Sequence, residues 1–263
     1  MKELTLTDLH HHILALGKEF DKICRKHNIP YYMLGGTMLG ALRHNGIIPW
    51  DDDMDFGIPR PFFNKFEECA QKELPEIYKF ITYKNSEYAC LGFGKIYDST
   101  TIFPELFAIK TDESLGVNID IFPLDYTNGR TDVFSRNFFC RSLFKFQKLL
   151  FVDAQNRPIL KRILARVFQK LFRIQRERIP SFIDQLMSRQ SAKTYLFNLS
   201  GAWAMKELVP AEIFGNPTEY DFEDTKFYGV EDADAYLRHL YGDYMQLPPE
   251  EKRHIHARKY YKK

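Results

Sequence analysis

Four aspartates stand within five residues, Asp51-Asp52-Asp53-Met54-Asp55, and a glycine pair, Gly35-Gly36-Thr37, lies about one supersecondary unit before them. Carboxylates this close repel one another unless a cation lies among them. Glycine lets a backbone approach a phosphate closely. The N–H groups at a helix start, with the helix dipole behind them, make an anion site. A phosphorylated ligand and a divalent metal are what phosphoryl transfer requires. Thr37 would add its hydroxyl to that anion site. Arg43, near the end of a short helix expected over residues 38–44, would either reach a phosphate or complement the helix C-terminus.

These side chains must be aimed by strands. Residues two apart in a strand project to one face, so a strand over 54–58 would keep Asp53 and Asp55 together and turn Met54 into the core. A third carboxylate, Asp120, stands between Ile119 and Ile121 in an apolar run over 117–122. A carboxylate in such a run demands a cation partner. If that strand lies beside the first, Asp53, Asp55 and Asp120 converge on one or two Mg²⁺ ions, with Mn²⁺ as a substitute. Lys95, in an apolar strand expected over 93–97, offers an amine to a pyrophosphate or is a strand-edge lysine. An EF-hand loop is excluded, because Phe56 stands where glycine is required and Phe62 where the bidentate glutamate belongs. A solvated loop, or the DxD metal site of a sugar-nucleotide glycosyltransferase, leaves the upstream glycine pair unexplained.

Around these residues, Leu9, Ile13, Leu16, Phe20 and Ile23 recur at helical spacing after Thr7-Asp8, which predicts a helix to about His27. A buried strand follows over 31–34, with the glycine pair as a turn after it. A helix is expected over 62–74, a strand over 79–83, and a helix near 232–240. From Arg130 to about residue 190 the pattern is helical throughout. The 263 residues are 44% hydrophobic, enough for a core, and 27% charged, which excludes a disordered chain. Cys24, Cys69, Cys90 and Cys140 form no CxxC pair, so a reducing cytoplasm is expected and no zinc site or disulfide framework. Polar residues interrupt the N-terminus, against a signal peptide, and no run nears the roughly 18 apolar residues of a membrane span. The fold class is α/β of the α+β kind, with a catalytic core over 1–128. A mainly helical region over 129–263 would complete the active site and face the acceptor or a membrane.

The segment from Gly35-Gly36-Thr37 through Pro49-Trp50-Asp51-Asp52-Asp53-Met54-Asp55 closely resembles the signature of the LicD family, which includes bacterial phosphocholine transferases and, more distantly, fukutin and fukutin-related protein. The resemblance continues, in the family's order, through Cys24-Arg25-Lys26-His27-Asn28-Ile29, Lys95-Ile96-Tyr97-Asp98-Ser99-Thr100, Ile119-Asp120-Ile121-Phe122-Pro123-Leu124-Asp125 and Tyr241-Gly242-Asp243-Tyr244-Met245. It is weakest over about 130–207. It implies a nucleotidyltransferase fold of the DNA polymerase β type, a small mixed sheet with a helix behind the glycine pair. It also implies that Asp53 and Asp55 are paired metal ligands and Asp120 the third. Family members pass a phospho-alcohol from a CDP-activated alcohol, such as CDP-choline or CDP-ribitol, to a glycan hydroxyl and release CMP. In that scheme Gly35, Gly36 and Thr37 cradle phosphate, and Asp120 shares a metal or acts as general base. Arg253 and His256, in the late motif, are further candidates for contact with acceptor or phosphate. Trp50 would stack on cytosine or pack into the core, and His10, His11 and His12 would form a solvated helix face.

The helical region is strongly basic: Arg157, Lys161, Arg162, Arg166, Lys170 and Arg173 interleave with Ile163, Leu164, Val167 and Leu171. Such a pattern suits an anionic membrane surface or a polyanionic partner, and a lipid-linked glycan acceptor would satisfy both. The alternative is an apolar face packed on the catalytic core. Nothing resembles a nucleic-acid recognition module. The expected function is Mg²⁺-dependent transfer of phosphocholine or a related phospho-alcohol to a cell-surface glycan, in the cytoplasm or peripherally at the inner face of its membrane. The rivals are a nucleotidyltransferase adding NMP to a sugar or small molecule, and a non-catalytic, metal-dependent glycan-binding protein.

Overall fold

The computed structural model describes residues 2–86, 92–103, 115–129, 139, 142–143, 159–171, 173–188, 194–253 and 261–263. The strands are β1 (Lys2–Glu3), β2 (Tyr32–Met33), β3 (Asp55–Pro59), β4 (Tyr78–Ile81), β5 (Gly94–Asp98), β6 (Thr101–Ile102), β7 (Asn118–Thr127), β8 (Tyr195–Phe197), β9 (Leu208–Pro210), β10 (Thr218–Phe222), β11 (Thr225–Gly229) and β12 (Tyr261–Lys262). The helices are α1 (Leu6–Lys26), α2 (Gly35–His44), α3 (Arg60–Glu73), α4 (Ile159–Leu171), α5 (Arg173–Met187), α6 (Ala211–Phe214) and α7 (Ala233–Tyr241).

The main sheet is mixed, in the order β2-β3-β7-β5-β4, with β8 on the far end of β7 and β9 on β8. Among the described residues, only β3 and β7 run parallel in this sheet. β7 is buried along most of its length, so it reads as a near-continuous apolar run, not an alternation. It continues past residue 122, where the sequence suggests an end, because Pro123 falls beyond the stretch paired to β5 and so removes no donor on that side.

α1 buries the predicted stripe of Leu9, Ile13, Leu16, Phe20 and Ile23 against this sheet. Its N-cap is Thr5, not Thr7 or Asp8. Asp8 is the third residue of a capping box, donating its N–H to Thr5 Oγ1 (3.1 Å) while its carboxylate accepts the Thr5 N–H (2.9 Å). Phe20 packs edge-on against Tyr31 and Phe66 at centroid distances of 4.8 and 5.1 Å. The glycine pair is not a turn ahead of α2 but its first two residues, Gly35 at φ +48°.

The later chain adds strands as well as helices: β8 extends the sheet from Asp125 to Thr127, and α7 packs on α2. α5 is fastened by Arg60, whose guanidinium bridges Asp125 and Asp184, while Tyr83 donates to Asp184 (2.9 Å). Of the region expected to be helical, α4 and α5 fall among the described residues. Arg136, Arg141, Lys145, Lys148, Arg157, Cys90, Cys140 and His256 lie outside them.

Candidate active site

In the parallel β3–β7 ladder Asp55 is the partner of Asp120, and in the antiparallel β5–β7 ladder Lys95 is also the partner of Asp120. Residues directly opposed across a sheet share a face. Asp55, Asp120 and Lys95 therefore form one row across three strands. Lys95 Nζ lies 2.7 Å from Asp120 Oδ1 and 2.9 Å from Asn118 Oδ1. The cation that Asp120 requires is thus supplied in part by the chain itself. Burial pushes the Asp55 carboxyl well above the usual carboxylate range, and the charges of Asp53, Asp120 and Asp51 push it further, with Lys95 opposing them.

Met54 is buried as expected, and Asp53, just before β3, is exposed. Asp51, Asp52 and Asp53 each bring a potential ligand oxygen within 4.8 Å of the others. This acidic group meets the start of α2. A Cβ on Gly36 would stand 2.9 Å from Asp51 Oδ2; one on Gly35 would stand 3.7 Å from Asp55 Oδ2 and 3.5 Å from the Tyr241 hydroxyl. Only glycine admits the positive φ of residue 35 at low cost while leaving this space open. The N-cap Leu34 has no side-chain oxygen for the first turn of α2, and helix geometry leaves that turn's N–H groups without intrahelical acceptors. The Gly35 N–H is taken by the Tyr236 hydroxyl at 3.1 Å.

Thr37 has a structural task beside the one expected of its hydroxyl. Oγ1 accepts the Asp55 N–H at 2.7 Å and so fixes α2 to the first residue of β3. On the other flank, the guanidinium carbons of Arg43 and Arg253 lie 6.0 and 4.7 Å from the Trp50 ring centroid. Arg43 donates to the Tyr244 carbonyl (2.9 Å) and Arg253 to that of Pro248 (3.0 Å). Burial holds the Arg43 pKa below its ordinary value, and the nearby Arg253 charge acts in the same direction. Trp50 is half-buried, packed on the core with its ring perpendicular to that of His44. Of the three histidines read as a solvated face, His10 bonds the Asp51 carbonyl and His12 the Asp98 carboxylate, both at 2.8 Å; His11 is the exposed one.

The sequence reading left out Asp51 as a ligand and passed over Tyr236 and Tyr241, which approach Gly35 from far along the chain. Burial and then the Asp55 charge push the Tyr241 phenol pKa up, as its place beside the carboxylates requires. Membership of the late aromatic motif was the available signal for Tyr241.

A family model described as the LicD/FKTN/FKRP nucleotidyltransferase domain matches residues 28–165, which include the glycine pair, Asp51 to Asp55, Lys95 and Asp120. The chain belongs to the LicD family. It is similar over its length to the lipopolysaccharide cholinephosphotransferase LicD of Haemophilus influenzae, with 28% identity over 262 residues and 97% of each chain covered. A shorter likeness, 28% over 101 residues, relates 38% of this chain to 18% of human ribitol 5-phosphate transferase FKRP. An uncharacterised Rickettsia typhi protein is 54% identical over 117 residues, 43% of this LicD-family chain and 34% of its own length.

Proposed function

We propose that this LicD-family protein is a divalent-metal-dependent transferase that moves phosphocholine, or a related phospho-alcohol, from its CDP ester to a glycan hydroxyl. The observation that carries the reading is the Asp55–Asp120–Lys95 row set beside the open first turn of α2. The similarity over 97% of the H. influenzae enzyme supports phosphocholine as the first group to test. In this reading the sheet and α2 are a nucleotidyltransferase fold of the DNA polymerase β type. Residues 1–128 form the core, and 129–263 complete the site through Tyr236, Tyr241 and Arg253.

The close-set oxygens of Asp51, Asp52 and Asp53, and the charge crowded around Asp55, fit a divalent cation. Asp53, Asp55 and Asp120 would hold Mg²⁺, or Mn²⁺ in its place, and the bound ion supplies neutralisation of the pyrophosphate charge. The backbone N–H groups of Gly36 and Thr37 receive phosphate oxygens at the α2 start. Arg43, Arg253 and Lys95 add positive charge around the donor. The acceptor hydroxyl oxygen attacks the phosphorus that bears the alcohol, the bond from that phosphorus to the CMP oxygen breaks, and the hydroxyl proton passes to Asp120. Lys95 holds Asp120 in place for that transfer through its contact with Oδ1. The acceptor is a cell-envelope glycan, lipid-linked and met from the cytoplasm at the inner face of the membrane.

Product analysis tests this. Incubation with CDP-choline or CDP-ribitol, Mg²⁺ and a cell-envelope glycan extract should release CMP in step with phosphodiester formation followed by ³¹P NMR. Pyrophosphate released from CTP with a nucleotidylated product would replace this reading by NMP transfer. Metal and ligand binding without turnover would leave a binding protein.

A further inference from the structure

α4 and α5 follow one another, yet they treat their apolar residues in opposite ways. α5 buries Ile179, Ile183 and Met187. In α4, Ile159, Leu160, Ile163, Leu164, Val167 and Leu171 are each between 51% and 72% exposed. Their spacing places all six on one face of the helix. Arg166 and Lys170 on the same helix are exposed as well, and α4 contains no Asp or Glu. From residue 154 to 176 the sequence has seven Lys or Arg and no acidic residue. An exposed apolar face of this extent on a helix this basic needs an occupant.

We propose that α4 is an in-plane membrane anchor, its apolar face seated among the acyl chains of an anionic bilayer and its cations at the lipid phosphates. Charge selects this occupant. A second copy would bring the same seven cations against these, whereas an anionic lipid surface attracts each of them. Length selects the orientation: thirteen residues reach about 20 Å, short of a hydrocarbon core of about 30 Å, and no described helix is long and apolar enough to cross a membrane. Basic side chains that flank an apolar face extend their charged ends to the headgroups while their stems stay in the apolar layer. The anchor rests on α4 alone and stands whichever group the active site transfers.

Vesicle co-sedimentation of the full chain tests it, with phosphatidylcholine vesicles against vesicles mixed with phosphatidylglycerol. The mixed vesicles should bind the protein, and added salt should release it. Leu160→Glu/Leu164→Glu should abolish binding, and Arg166→Gln/Lys170→Gln should lower the partition coefficient by roughly an order of magnitude or more. Both variants should keep the wild-type melting temperature, since the side chains they replace are exposed. Failure to bind the mixed vesicles, or binding that survives the glutamates, overturns the proposal. So does a dimer in sedimentation equilibrium that the glutamates dissociate, which would make a second copy the occupant.

Discussion

Asp55 and Asp120 are 65 residues apart in sequence and direct partners in the parallel β3–β7 ladder of the main sheet. Parallel pairing requires a crossover, here through α3 and the β4–β5 hairpin. The two carboxylates share a face because the register opposes them, and a slip of one residue would send Asp120 to the other side. The site therefore depends on sheet register more than on any loop.

The crowding at Asp55 sets the first expectation. Asp55→Asn removes one carboxylate from a half-buried position where the neighbouring carboxylates already disfavour its charge. Activity should fall by roughly 10³-fold, the scale of losing one electrostatic stabiliser of the transition state, here the cation that Asp55 would help to hold. The melting temperature should hold or rise. Wild type should also gain thermal stability from Mg²⁺ by mass action, and the variant should not. A variant that melts well below wild type would make Asp55 a structural residue.

The Lys95–Asp120 pair is expected to be energetically coupled. Both groups are largely shielded, with side-chain exposures of 9% and 19%. Lys95→Ala removes the cation 2.7 Å from Asp120 and should cost about 2–3 kcal/mol in urea denaturation. Combining it with Asp120→Asn should recover most of that loss. If the two costs simply add, the pair is not coupled. Lys95→Ala should also weaken CDP-alcohol binding.

Much of the site was legible in the sequence because strands obey a period of two. Met54 between two aspartates marked an inward residue just before β3, and the isoleucines around Asp120 marked a carboxylate set in a buried strand. What a sequence does not carry is register. That Lys95 faces Asp120, and Asp120 faces Asp55, follows from which residues hydrogen-bond across three strands. Asp51 lies before β3, where no period dictates its direction, so its approach to Gly36 was not readable. Tyr236 and Tyr241 reach Gly35 only because α7 packs on α2, a long-range contact. The start of α2 was misread for a local reason: Gly35 enters the helix at a positive φ, which ordinary glycine rules assign to a turn.

Acid should find a weak point beneath α1. Asp98 is buried and accepts hydrogen bonds from His12, from the Thr100 N–H (2.8 Å) and from the Thr100 hydroxyl (2.6 Å). Burial raises its pKa, but these donors together hold it below 3.8. A carboxylate lowered on folding contributes its stability above its unfolded pKa and loses it as the pH falls through the folded value. Wild type should therefore lose stability below about pH 4. Asp98→Asn should be about 1–3 kcal/mol less stable at pH 7 and show a shallower acid limb. Parallel acid limbs would show that Asp98 does not carry this dependence.

Gly36→Ala separates space from conformation at the carboxylate edge. Residue 36 has no positive φ, so alanine is tolerated by the backbone and improves helix propensity by up to ~1 kcal/mol. Its Cβ would stand 2.9 Å from Asp51 Oδ2, closer than a methyl group and an oxygen can pack. That oxygen ends a side chain, so Asp51 should turn away and the fold should persist. The expected outcome is a melting temperature within a few degrees of wild type together with weaker Mg²⁺ and CDP-alcohol binding in calorimetry. Gly35→Ala differs, because φ +48° adds backbone strain of roughly 1 kcal/mol or more, and it should lose stability as well as binding. If Gly36→Ala binds both ligands as wild type does, Asp51 lies outside the working site and Asp53, Asp55 and Asp120 hold the cation without it.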